Sequence, residues 1–181
     1  QEGNDFFAGS GLNKFVTDVN PKTLTFTKSI DVAGKSNLKL TLAVAGTYLD
    51  FETSDFLKVF IDPDGDGPLT HNPDAPLIHF TAPSGTDKFF NDVPTNPTKP
   101  TRLGLKFQDV TYAIPGAGLS KIGIRIEAVT TWWNEIVAFD NVRVTSGDVA
   151  PPAPAVGNLT GLIGYWRMDE TAGEVVPDLS G

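Results

Sequence analysis

Residues 121–129 read Lys121-Ile122-Gly123-Ile124-Arg125-Ile126-Glu127-Ala128-Val129, and their alternation decides the fold class. Ile122, Ile124 and Ile126 fall on one side of an extended chain, with Gly123, Arg125 and Glu127 on the other. That period of two belongs to a half-buried strand. The pattern recurs outward in both directions. Leu24 and Phe26 alternate with Thr23, Thr25 and Thr27, and Leu38, Leu40, Leu42 and Val44 with Lys39, Thr41 and Ala43. Leu57, Val59 and Ile61 form another run, and 77–81, 102–107 and 110–114 are shorter candidates. A last strand is predicted over 136–145. Helical periodicity is scarce, and 18 Gly and 14 Pro exceed their usual combined share of about 12%. About nine or ten short strands joined by turns imply two antiparallel sheets packed face to face, an all-β sandwich of jelly-roll type.

The 181 residues are 40% hydrophobic and 20% charged, enough apolar material for a packed core. The net charge of −8 argues against nucleic acid, whose phosphates demand a Lys/Arg footprint, and against anionic membrane surfaces. No apolar run approaches the roughly 20 residues of a membrane-spanning helix, so no membrane insertion is expected. With no cysteine, disulfides, thiolate zinc sites and a cysteine nucleophile are excluded. A chain opening on Gln1 reads as a mature form or an excised fragment, and a removed secretory signal would account for it.

After Thr145 the composition changes. Ser146-Gly147-Asp148-Val149-Ala150-Pro151-Pro152-Ala153-Pro154-Ala155 has no periodicity and reads as a semi-rigid linker. The expected organisation is a sandwich over 1–145, a Pro/Ala-rich linker over 146–158 and a strand-like segment over 159–181. In that segment Leu162, Trp166 and Met168 share one face. Some 20 residues cannot build a core of their own. They are the start of another domain, a strand lent to a neighbour, or a flexible end, and 161–168 should order only against a partner sheet.

Two resemblances bear on these segments. Gly161-Leu162-Ile163-Gly164-Tyr165-Trp166-Arg167-Met168-Asp169-Glu170-Thr171-Ala172-Gly173, with Asp178-Leu179-Ser180-Gly181, resembles the opening of a LamG-type, concanavalin A-like lectin/glucanase domain. It covers about a tenth of the chain and carries none of that family's ligand residues. Asn134-Glu135-Ile136-Val137-Ala138-Phe139-Asp140-Asn141-Val142-Arg143-Val144 is similar to the closing strand of MAM-like and carbohydrate-binding-module-like jelly rolls. The resemblance implies a cation site that uses Asp140 with an acidic partner near the chain start. Asp5, before Phe6-Phe7, stands where MAM domains tend to have Phe-Glu.

Several residue sets suggest chemistry. Asp62, Asp64 and Asp66, followed by Gly67, match the first half of a calcium loop, in which a turn aims three carboxylates at one hard cation. The twelfth position, where a bidentate Glu belongs, is Pro73, and Asp74 follows it. The alternative is a solvated acidic hairpin tip. Asp140 falls in phase with Ile136, Ala138, Val142 and Val144, so a carboxylate in an apolar row needs a cation or several hydrogen bonds. The alternatives are backbone donors around it, or a core on the opposite face with Val137 and Phe139. Glu135, at the mouth of the same strand, is its nearest partner in sequence. Trp132 and Trp133 adjoin in a loop, and neighbours on an extended chain point opposite ways. An exposed Trp suits stacking on a sugar ring, whereas a buried one caps the sandwich.

Enzyme signatures are weak. His71 and His79 form no zinc-type pair, and no nucleophile elbow or phosphate loop is present. Glu52 with Asp55, or Glu127 with Glu135, resembles a glycosidase pair only as any acidic surface does. The expected function is a non-catalytic, calcium-supported recognition or adhesion module of a larger secreted or cell-surface protein, carbohydrate-binding and followed by a LamG-like module. The rivals are a fibre subunit that binds neighbouring copies through 161–168, and an accessory domain of a polysaccharide-degrading enzyme.

Overall fold

The computed structural model describes residues 7–10, 12, 22–25, 29–47, 51–65, 75–82, 90–91, 102–132, 134–147 and 162–166. Among them are strands β1 (Phe7–Ser10), β2 (Lys22–Thr25), β3 (Ile30–Asp31), β4 (Lys39–Gly46), β5 (Phe56–Asp62) and β6 (Ile78–Thr81). They continue with β7 (Phe90–Asn91), β8 (Gln108–Ala113), β9 (Lys121–Val129), β10 (Ile136–Thr145) and β11 (Leu162–Trp166), and the described residues contain no helix. One sheet runs β1-β10-β4-β8 with β11 also on β10; the other runs β2-β9-β5-β6-β7 with β3 also on β9. Neighbours pair antiparallel throughout. The all-β, two-sheet sandwich expected from the alternation is the fold.

The inward rows meet as the alternation requires. Leu40, Leu42, Val44, Val137, Phe139, Val142 and Val144 of the first sheet share one core with Leu57, Val59, Ile61, Ile78, Phe80, Ile122, Ile124 and Ile126 of the second. On the outward row of β9, Arg125 lies 3.1 Å from Glu127 as an ion pair and 4.7 Å from the Phe60 ring centre. The central strands of the first sheet depart from simple alternation, because β4 and most of β10 are buried on both faces. Their outer face is accordingly small or internally bonded. Ala43 and Ala45 lie there beside Thr41, whose hydroxyl is 2.8 Å from that of Thr111, and Arg143 Nη2 reaches Asp109 Oδ2 at 2.6 Å.

The phase expected for Asp140 is corrected by a bulge. Asp140 pairs with Ala43 but Arg143 with Thr41, so β10 carries one extra residue there. Asn141 takes it up at φ 48, a left-handed conformation that Asn tolerates better than most residues. Beyond the bulge the facing flips. Val137 and Phe139 therefore share the core with Val142 and Val144, while Ala138 stands outside it and Ile136 is 38% exposed. Asp140 follows Ala138 in phase and not the valines.

Two further differences concern strand limits. No strand spans 102–107; Leu103 is buried as an anchor, Leu105 is 66% exposed, and Gly104 O accepts the Gly46 amide at 3.0 Å. β1 escapes a reading by alternation because Phe7-Ala8-Gly9-Ser10 has one large apolar residue; Phe7 stacks on Phe139 with ring centres 4.6 Å apart. The segment expected to need a partner sheet finds one in its own chain: β11 lies against β10, with Val142 opposite Trp166 and Thr145 opposite Leu162. Residues 148–158 of the expected linker lie outside the described residues.

Leu42 is fully buried between the sheets. Leu42→Ala should lower stability by about 2–5 kcal/mol, and Leu105→Ala should stay within about 0.5 kcal/mol of the parent. Equilibrium urea unfolding of the two variants checks the pair.

Candidate functional site

At one end of the sandwich, the entry to β5, the exit of β9 and the entry to β10 come together. Phe56 pairs with Val129, which sets Asp55 beside the chain leaving β9. The turn before β5 is closed reciprocally: the Asp55 amide donates to Glu52 O at 2.9 Å, and the Glu52 amide donates to Asp55 Oδ2 at 2.6 Å. Such Asp-to-backbone bonding is what a short polar side chain favours in a turn. Phe51, next to Glu52 in the chain, is fully buried in the core.

Between β9 and β10 the chain passes from one sheet to the other, and the amides of Thr131 and Trp132 must find acceptors outside a ladder. Acidic side chains supply them. Glu135 Oε2 accepts the Thr131 amide at 2.8 Å and the Trp132 amide at 2.6 Å, while Asp55 Oδ1 also accepts the Thr131 amide at 3.1 Å. The Thr131 hydroxyl donates to Glu52 Oε2 at 2.8 Å. Thr47, at the end of β4, ties the other side: its hydroxyl donates to Asn134 O at 3.1 Å and accepts the Ile136 amide at 3.0 Å.

The three carboxyl groups thereby converge. One oxygen from each of Glu52, Asp55 and Glu135 lies within 4.8 Å of the others. Asp55 and Glu135 have no exposure, and Glu52 is half-buried. Burial pushes the Asp55 carboxyl up to about 7, with the Glu52 carboxylate adding to the rise and the bond from the Glu52 amide opposing it. Burial likewise pushes Glu135 up to about 7, opposed by the Trp132 amide and helped by the charges of Asp55 and Glu52. Burial also raises Glu52, but hydrogen bonds from Thr131, Asp55 and Glu135 outweigh it, and the net shift is downward. Burial and mutual repulsion thus favour a proton on Asp55 and Glu135, and the oxygens gathered here are hard donors of the kind a hard cation accepts.

The sequence-predicted residues distribute as follows. Glu135 belongs to the cluster, but through Glu52 and Asp55. Asp140 lies five residues along β10, roughly 16 Å away at strand rise, where its Oδ1 accepts the Asn141 amide at 2.7 Å. Asp62 is buried opposite Gly123, where a Cβ would sit 3.1 Å from that of Asp62. Its Oδ1 accepts the Asp64 amide at 3.4 Å, and Asp64 is exposed. Asp5, Asp66 and Trp133 lie outside the described residues. Trp132 is 53% exposed, so it stands clear of the core. Glu127, imagined as a partner of Glu135, is engaged by Arg125 instead.

Sequence reasoning treats Glu52 and Asp55 as a chance pair. Their signal is positional: Asp55 and Glu135 each stand immediately before an apolar strand, and Glu52 sits one turn ahead of Asp55. A scan against protein-family models and a search of curated proteins find no match to this chain.

The two raised carboxyls make stability depend on pH. The folded state keeps protons that the unfolded chain, at ordinary values of 3.8 for Asp and 4.5 for Glu, has already lost. In chelator-treated protein these groups should therefore lower stability as pH rises from about 4 to about 7. Glu135→Gln should flatten that fall. Melting temperatures of parent and variant between pH 4.5 and 8 check the sign.

Proposed function

We propose that this chain is a non-catalytic, calcium-supported recognition module of a larger secreted or cell-surface protein, with a carbohydrate ligand held at the Trp132 end of the sandwich. The observation that carries the reading is where apolar surface is exposed. The large exposed hydrophobics among the described residues are Leu105, Trp132 and Ile136. Their segments meet at one end: Gly46 donates to Gly104 O at 3.0 Å, Thr47 donates to Ile136 O at 3.0 Å, and the Thr47 hydroxyl reaches Asn134 O at 3.1 Å. An indole whose own backbone amide is held at 2.6 Å loses little freedom on binding. Its flat face suits the apolar C–H face of a sugar ring, and loops on a rigid sandwich are where such modules place recognition.

The carboxyl groups beside Trp132 favour support over hydrolysis. Asp55 and Glu135 are fully buried and accept backbone amides of the two turns that meet there, so neither is exposed to a bound glycan as acid or base. The similarity to carbohydrate-binding-module-like jelly rolls points the same way. A second reading, a fibre subunit that exchanges its C-terminal strand with neighbours, draws on the pairing of β11 with β10. A strand that can augment its own sheet can augment a copy's.

On a glycan array the parent should bind a defined subset, and Trp132→Ala should lose about 2 kcal/mol, roughly thirtyfold in affinity, with an unchanged melting temperature. Absence of glycan binding by the parent, or undiminished binding by the variant, overturns the carbohydrate reading. Sedimentation velocity of the full chain and of a chain ending at residue 147 tests the fibre reading: only strand exchange gives assemblies that the shortening abolishes.

A further inference from the structure

The acidic cluster has two features that its role as a loop clamp leaves unexplained. Its three carboxyl groups crowd together, and no described Lys or Arg pairs with them. In addition, Glu135 Oε2 takes the donors from Thr131 and Trp132 while Glu135 Oε1, equally buried, receives no hydrogen bond. A buried carboxylate oxygen without a partner is costly, and three carboxylates without a counter-charge repel one another. One small hard cation answers both.

We propose that Glu52, Asp55 and Glu135 form a calcium site that ties the entry to β5 to the β9–β10 crossing. The inference rests on the calcium-supported reading above, names its residues, and is independent of any glycan. The mutual separation of 4.8 Å or less is no more than that of two oxygens on opposite sides of a calcium bonded at about 2.4 Å. Glu135 Oε1 is the ligand the protein leaves open. Glu52 and Asp55 contribute oxygens whose second lone pairs remain available beyond the bonds from Thr131 and the Glu52 amide. Half-buried Glu52 leaves one side to water, which completes the six to eight oxygens calcium takes. The absence of nitrogen and sulfur donors from the group disfavours zinc and copper. The site differs from the one implied by the MAM-like resemblance, since neither Asp140 nor the chain start takes part.

The site also makes a mechanical claim. The oxygens that would hold the cation belong to the carboxyl groups that hold the Thr131 and Trp132 amides, so occupancy of the cluster fixes the backbone that carries Trp132. Calcium thus positions the indole without touching it.

The test is calorimetric titration of the full chain, stripped with chelator at pH 7.5, with calcium chloride, alongside terbium as a luminescent substitute excited through tryptophan. The parent should bind calcium with a rise in melting temperature and show sensitised terbium emission that calcium competes away. Glu135→Gln should weaken calcium about tenfold or more, as even loss of an outer partner of a metal ligand does. Asp140→Asn and Asp64→Asn should bind as the parent. If circular dichroism shows Glu135→Gln unfolded, half-buried Glu52→Gln carries the same expectation. No calcium-dependent heat or melting shift in the parent overturns the site and leaves the cluster a proton-sharing clamp. Parent-like binding by Glu135→Gln, or by Glu52→Gln where that variant stands in, overturns it as well, as does loss in Asp140→Asn alone. Trp132→Ala should retain calcium whatever its glycan result, which separates failure of the site from failure of the ligand reading.

Discussion

The structure depends on how the chain leaves one sheet for the other between β9 and β10. These strands are consecutive, yet each is central to a different sheet. A crossing of this kind strips amides from one ladder before the next can receive them, and unpaired buried amides are not tolerated. Here the carboxylates of Asp55 and Glu135 accept the amides of Thr131 and Trp132. Because Asp55 opens β5 and Glu135 opens β10, the same bonds that satisfy the crossing also hold the two sheets in register at that end.

Acceptance by charged groups has consequences that a carbonyl would not. Carboxylates gathered to serve amides also repel one another, and burial disfavours their ionised forms. Burial and mutual repulsion thereby favour the protonated forms of Asp55 and Glu135, a property arising from the fold's own connectivity. The exposed indole follows from the same arrangement. With its amide held by Glu135, Trp132 is 53% exposed at the end of the sandwich. The buried carboxyl groups and the exposed indole are adjacent because a single loop carries Trp132 and Glu135.

Strand β10 shows how local backbone detail redirects chemistry. One extra residue near Asn141 changes which side chains face the core, and with it the environment of Asp140. The buried outer face of β4 and β10 holds alanines, Thr41 bonded to Thr111, and Arg143 paired with Asp109. Pairing of this kind offsets the cost of burying Thr41 and Arg143.

The alternation of 121–129 established the all-β class, the position of β9 and the inward set Ile122, Ile124 and Ile126, because a period of two is local and every residue of the strand reports it. The runs that became β4, β5, β8 and β10 were legible for the same reason, and Glu135 was singled out from its place at a strand mouth. The tertiary structure alone decided what Glu135 faces. Glu52 lies 79 residues from the threonine it bonds, and only the pairing of β5 with β9 brings the two turns together. It alone decided the facing of Asp140 too, since a bulge leaves no mark in a pattern of residue types. Side-chain period is a property of the chain; which strand entries meet is set by sheet order, and sheet order is fixed only when the two apolar faces close on each other.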